Sequence, residues 1–122
     1  MTGAETEADA HVVAKAIAES LLVKTAAFGG DPNPGRLLQA VGSSGVPFLP
    51  QLVDGFVGDV QVIAGGEIAE SYLEAGIEAA RAAVAEHDIV VAVSLGGGPG
   101  SSRAVGVDLS YDYVKINAEY TT

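Results

Sequence analysis

Residues 68–86 constrain the fold most, because their apolar side chains recur at the spacing of a long amphipathic helix. The apolar face of this predicted helix consists of Leu73, Ile77, Ala80 and Val84. Residues 88–95 follow with the uninterrupted apolar run Ile-Val-Val-Ala-Val, which is typical of a central strand covered by helices on at least one face. The two segments together predict helices that pack on a β-sheet.

Capping residues mark two further helices. Thr6 can accept a hydrogen bond from the first turn of a helix that begins beside it, and Asn33 can do the same for a second helix. Pro34 suits the first position of that second helix, where a missing N–H costs nothing. Gly42 or Gly45 is expected to end it.

Short runs of β-forming residues predict the rest of the sheet. Residues 52–57 and 60–64 are two such runs, and residues 103–109 alternate between larger apolar side chains and small or polar ones. Residues 22–28 are expected to be extended, and residues 96–102 to form a flexible connection between strands. The predicted fold class is therefore α+β, with about three helices packed on a small mixed β-sheet in two layers.

Length and composition limit the class of protein. The 122 residues are expected to form a single domain, 1–122, because neither a repeat nor a linker divides them. A formal net charge of -10 argues against binding to nucleic acid or to anionic membranes. With no cysteine, no apolar run long enough to span a membrane and no signal-peptide pattern at its start, the sequence predicts a cytoplasmic protein.

Three local features suggest sites that their sequence context does not support. The glycine-rich residues 96–102 lack the lysine of a phosphate-binding loop and lead into a predicted strand instead of a helix. His11 and His87 have no partners at metal-ligand spacing. Removal of Met1 would give Thr2 the free amine of an N-terminal nucleophile, but no set of oxyanion-hole donors lies beside it. Ordinary structural roles are favoured for all three, and we expect neither a metal nor a cofactor.

Two long motifs carry a resemblance to a known family. Asp-Pro-Asn-Pro-Gly-Arg occupies residues 31–36, and Tyr-Val-Lys-Ile-Asn-Ala-Glu-Tyr occupies residues 113–120. Shorter matching segments lie at residues 2–5, 14–18, 22–26 and 106–110. In this order the segments resemble the C-terminal domain of the bifunctional ornithine acetyltransferase/glutamate N-acetyltransferase family. The sequence departs from the family's usual pattern at Pro34 and Val105, which replace tryptophans, and at residues 96–99.

The resemblance implies an enzyme of arginine biosynthesis that moves an acetyl group from N-acetylornithine to glutamate, some members also using acetyl-CoA. Family members cleave themselves to expose a threonine nucleophile, which lies upstream of the matching region. Asn117 and Thr122 match the family's substrate-binding asparagine and the hydroxyl residue five places later. An amide and a hydroxyl together can orient the α-amino and carboxylate groups of an amino acid. A purely local role for Asn117 in a terminal turn is the alternative.

Three functional hypotheses follow. The chain is the C-terminal part of a working acetyltransferase that contributes substrate-binding residues, or a non-catalytic remnant or assembly module, or a small-molecule-binding protein. No catalytic residue is expected in the chain, and we expect no turnover by it alone, because no residue combines a nucleophile with a base and an oxyanion hole. The expected partners are the upstream portion of the same enzyme and its amino-acid substrates, and the complete enzyme is expected to be an oligomer.

Overall fold

A computed structural model describes residues 1–119 of the chain. The α-helices in this part are α1 (Glu7–Glu19), α2 (Leu21–Phe28), α3 (Pro34–Ser43), α4 (Ile77–Val84) and α5 (Tyr111–Glu119). The strands are β1 (Asp54–Val57), β2 (Val60–Ala64), β3 (Glu67–Ile68) and β4 (Val91–Ser94). A short 3-10 helix at Pro50–Leu52 precedes β1, and a π-helix at Tyr72–Gly76 precedes α4.

The four strands form one sheet in the order β3-β2-β1-β4, and each neighbouring pair is antiparallel. Burial alternates along β1, so that one face of this strand packs on the helices. The predicted α+β class is therefore confirmed. The expected helix count and the mixed sheet are not, because residues 1–119 contain five α-helices and the four strands pair antiparallel.

The predicted helix starts are confirmed at atomic detail. Thr6 Oγ1 accepts a hydrogen bond from the Asp9 backbone N–H at 3.1 Å, which caps α1. Pro34 occupies the first turn of α3, as its missing N–H allows. The same helix ends at Ser43, and Gly45 follows in the left-handed conformation with φ of 80°.

The extended conformation expected for residues 22–28 is wrong, because this segment forms α2. Ser20 Oγ accepts a hydrogen bond from the Val23 backbone N–H at 3.3 Å and so caps the helix. Thr25 is β-branched and so favours a strand by propensity, but its hydroxyl here donates to the Leu21 carbonyl of the same helix at 3.0 Å. Local capping and packing against α1 and α3 therefore override the β propensity.

The strand expected at residues 103–109 is also absent from the described structure. This segment runs across α1 and α2 instead of joining the sheet. Leu109 donates its backbone N–H to the Lys24 carbonyl at 3.3 Å, and Gly106 approaches the Ala18 carbonyl so closely that an added Cβ would lie 2.9 Å from its oxygen. Val105 and Val107, two of the larger side chains in the predicted alternation, are 84% and 57% exposed, so the pattern does not mark a buried face of a strand.

The helix expected at residues 68–86 contains an irregular turn that changes its buried face. The π-helix at Tyr72–Gly76 inserts one extra residue into the helical repeat before α4. As a result Tyr72 is buried, whereas Leu73, which was predicted to face the core, is 57% exposed. Ala80 and Val84, which follow the irregular turn, are buried as predicted.

One hydrophobic core joins the helices to the sheet. Its largest fully buried side chains are Val13, Val41, Val53, Val57, Val62 and Ile63. Among the described residues no polar or charged residue is buried, so the core depends on aliphatic packing. The helices in residues 1–119 are too short or too polar to cross a membrane.

Candidate functional site

The motif at residues 31–36 connects α2 to α3. The Asp31 carboxylate accepts hydrogen bonds from the backbone N–H and the side-chain amide of Asn33, each at 3.0 Å. Asn33 adopts a left-handed conformation with φ of 39° and accepts from the Arg36 backbone N–H at 3.1 Å. The Arg36 guanidinium reaches back to α2, where it donates to the Leu22 carbonyl at 3.1 Å. The motif is therefore a structural clamp that fixes α2.

Helix α5, which carries the predicted substrate-binding asparagine, lies against α2. Ser110 Oγ caps α5 by accepting a hydrogen bond from the Tyr113 backbone N–H at 2.9 Å. The rings of Phe28 and Tyr111 meet edge to face with centroids 5.4 Å apart. The Lys24 ammonium lies 5.7 Å from the centroid of the Tyr113 ring. The motif at residues 31–36 thus contacts α2, and α2 in turn contacts α5.

Asn117 lies on α5 with its side chain exposed. Its side-chain amide donates a hydrogen bond to the Tyr113 carbonyl at 2.8 Å, one helical turn earlier. Thr122, its predicted companion, lies outside the described residues. This contact lies within α5, and the amide oxygen accepts no hydrogen bond from residues 1–119. Both the substrate-binding role of Asn117 and its local role in a terminal turn stay predictions.

The sequence did not single out the residues that hold α5. The contacts between α2 and α5 form only in the folded chain. The spacing of Lys24, Phe28 and Tyr113 in the sequence does not predict them. Ser110 could have been found, because a serine directly before the first residue of a helix is a typical N-cap.

The glycine-rich segment 96–102 pairs with the start of the chain. Gly97 donates its backbone N–H to the Gly3 carbonyl at 2.9 Å. Ala4 and Gly100 exchange two backbone hydrogen bonds, at 3.2 and 2.7 Å. These donors are consumed by the protein backbone, so the segment does not form a phosphate cradle. The expected connection between two strands is corrected to a turn that follows β4 and is hydrogen-bonded to residues 3–4.

The other sequence features have structural roles. Thr2 bridges Ser94 in parallel orientation, its N–H donating to the Val93 carbonyl at 2.9 Å. His87 lies beside Asp88 at 3.1 Å with both side chains almost fully exposed. Within residues 1–119 no group of three or more potential metal ligands comes together.

An apolar cleft of about 200 Å³ lies between β4, α1, α2 and residues 103–108. Met1, Ile89, Val91 and Val93 line its sheet side, and residues of α1 and α2 line the opposite side. Lys24, Arg103 and Asp108 supply its charged lining. Partial burial lowers the pKa of the Met1 α-amino group, because desolvation disfavours its charged form.

Comparison with known proteins decides the family. The model of the ArgJ family matches residues 1–122. The chain is 47% identical to the "Arginine biosynthesis bifunctional protein ArgJ, chloroplastic" of Citrullus lanatus, over 100% of this chain and 27% of that protein. The chain belongs to the ArgJ family. The resemblance to ornithine acetyltransferase/glutamate N-acetyltransferase found in the sequence is thereby confirmed.

Other ArgJ relatives agree in sequence and fold. The "Glutamate N-acetyltransferase" of Methanocaldococcus jannaschii is 45% identical over 98% of this chain and 31% of its own length. The crystal structure of the ArgJ protein from Bacillus halodurans matches with a TM-score of 0.88 at 39% identity, covering 98% of this chain and 55% of the crystallised one. The chain therefore spans about a quarter to a third of the length of these curated ArgJ relatives.

Two departures from the usual ArgJ pattern are accommodated differently. Pro34 is buried at the start of α3, where its fixed φ suits the helix. Val105 is 84% exposed, so the smaller side chain removes nothing from the core of the described structure.

The cytoplasmic expectation is not established, since several plant relatives are named as chloroplastic.

Proposed function

We propose that the chain is the C-terminal part of an acetyltransferase that moves an acetyl group between N-acetylornithine and glutamate. In this proposal the threonine nucleophile comes from the upstream portion of the enzyme, and Asn117 and Thr122 bind the amino-acid substrate. The observation that carries the proposal is the ArgJ family match over residues 1–122, together with 45% identity to a glutamate N-acetyltransferase.

The position of Asn117 supports a role at a surface shared with another part of the enzyme. Its side chain is exposed, and the apolar residues around it on α5 are exposed as well, Val114 at 50% and Ile116 at 67%. An amide held at 2.8 Å by its own helix is oriented before substrate arrives, so little conformational entropy is lost on binding. A second surface facing α5 would complete the site.

The proposal is tested by reconstitution. This chain is co-expressed with the part of the Citrullus lanatus relative that precedes the matched region, and acetyl transfer from N-acetylornithine to glutamate is assayed. Transfer well above that of either part alone is expected. Two folded, co-purified parts that show no transfer would sink the proposal.

The exposed apolar face of α5 favours one second candidate, a non-catalytic assembly module. Leu21 on α2, the helix that α5 contacts, is also 65% exposed, and such apolar surface is typical of protein contacts. The reconstitution separates the two functions, because a module would bind the upstream portion without supporting transfer. A small-molecule-binding protein unrelated to acetyl transfer is the remaining candidate, and calorimetric titration with ornithine, glutamate and unrelated metabolites tests it.

A further inference from the structure

The outer edge of β4 presents unpaired backbone groups beside the apolar cleft. Thr2 donates to the Val93 carbonyl and accepts from the Leu95 N–H at 3.0 Å. The backbone N–H and C=O groups of the odd-numbered residues in β4 therefore point away from β1. The even-numbered ones face β1, as the register Phe56↔Ala92 and Asp54↔Ser94 requires. Within residues 1–119 the Val93 N–H and the Val91 carbonyl have no backbone partner.

The bridge to Thr2 sets the direction and register of any strand on this edge. In a parallel ladder, a residue donates to the carbonyl before its partner and accepts from the N–H after it, which is the pattern of Thr2 around Ser94. The next residue of such a strand to face β4 lies two positions before Thr2. Its N–H would meet the Val91 carbonyl, and its carbonyl would meet the Val93 N–H.

The composition of β4 fits a strand with neighbours on both sides. Its uninterrupted apolar run is typical of a central strand, yet among the described residues it lies at the edge of the sheet. The apolar cleft continues outwards from this edge, between Val91 and Val93 on one side and α1 and α2 on the other. An apolar edge strand with unpaired backbone groups is a template for strand addition.

From this geometry we infer that the β4 edge binds an extended, apolar segment of the ArgJ polypeptide, running parallel to β4 and entering the fold through the position before Met1. The inference rests on the proposed function in one respect, namely that the chain works beside the preceding part of an ArgJ enzyme. The chain covers only 27% of the Citrullus lanatus protein, so most of that polypeptide lies outside the matched region. Partial desolvation of the Met1 amine also fits, since a neutral peptide group there would lose less hydration.

The test is residue-resolved amide hydrogen exchange measured by NMR. About six residues, the usual length of a strand, are taken from immediately before the matched region of the Citrullus lanatus relative and added before Met1. We expect exchange of the Val93 amide to slow by about tenfold or more, while the Ala92 and Ser94 amides, which face β1, stay unchanged. An equally long glycine-serine extension is the matched control.

Equal Val93 exchange rates with the two extensions would overturn the inference, and so would concentration-dependent protection of the unextended chain, which would assign the edge to a second copy. The hydrogen-exchange test and the acetyl-transfer assay can fail independently of each other. Transfer in the reconstituted enzyme without Val93 protection refutes strand addition alone, whereas protection without transfer refutes the proposed function alone.

Discussion

The side-chain amide of Asn117 donates a hydrogen bond to the Tyr113 carbonyl across 2.8 Å, and Tyr113 itself lies beneath the Lys24 ammonium. The predicted substrate-binding residue is therefore connected through one helical turn to α2. Because the Arg36 guanidinium bonds α2 to α3, the orientation of Asn117 depends on residues far from it in sequence.

Replacing Asn117 by alanine should raise KM for the amino-acid substrate in the reconstituted enzyme by roughly tenfold to a hundredfold, the range for losing a hydrogen bond to a charged group. The thermal midpoint of the isolated chain should hardly change, because the side chain is exposed. Steady-state kinetics checks the first expectation and calorimetry the second. Lys115→Ala, an exposed neighbour on the same helix, is the control. Equal KM values for the two variants would contradict the role of Asn117.

Arg36→Lys should destabilise the chain by about 1–2 kcal/mol, because a lysine cannot reproduce the guanidinium geometry that reaches the Leu22 carbonyl and the Thr25 hydroxyl. Urea unfolding of the isolated chain measures this loss. Arg81→Lys on the exposed face of α4 is the matched control and should be nearly neutral. A neutral Arg36→Lys would show that the clamp does not fix α2.

Gly100→Ala should cost about 3 kcal/mol or more, because the new Cβ would overlap the carbonyl oxygen of Thr6. That oxygen accepts the first backbone hydrogen bond of α1, from Ala10 at 3.0 Å, so neither side of the clash can move freely. Gly97→Ala is the control from the same turn, since its Cβ would lie an ordinary 3.5 Å from the Gly3 carbonyl oxygen. Thermal unfolding compares the two, and similar midpoints would refute the close approach.

The Met1 amine should make stability depend on pH. Its pKa is lowered in the folded chain, so the unfolded chain binds the proton more tightly. Stability should therefore rise with pH between the depressed folded value and the ordinary value of 8.0. Chemical N-acetylation of the intact chain removes the charge and should remove this contribution to the slope. Urea midpoints at about pH 7 and about pH 9 for both forms measure it, and identical slopes would argue against burial of the amine.

Local signals in the sequence were sufficient for part of the fold. The caps at Thr6 and Asn33 and the strands near 54–57 and 60–64 depend on residues close in sequence, and the structure contains them. Residues 22–28 and 103–109 were misassigned because packing partners decide their conformation. In the first, packing against α1 and α3 adds to the cap at Ser20 and outweighs β propensity. In the second, the Leu109 backbone N–H bonds to a carbonyl of α2 instead of to a strand.

The candidate site was less accessible to sequence reasoning. The family motif located Asn117, but its local bond to Tyr113 and the support from Lys24 arise only after α5 lies against α2. The buried face shifts from Leu73 to Tyr72 because of the π-helix. Its extra residue cannot be detected from the spacing of apolar residues in the sequence.

The pairing of residues 2–4 with the turn after β4 has a consequence for the order of folding. The contact between Ser102 and His11 beside it joins residues 91 positions apart, so loop closure makes this one of the most costly steps in chain entropy. During synthesis on the ribosome, residues 2–4 emerge before their partners, which lie within residues 93–100. Helix α1 can form early, but the pairing of residues 2–4 with the sheet must wait until residues 96–102 have left the exit tunnel.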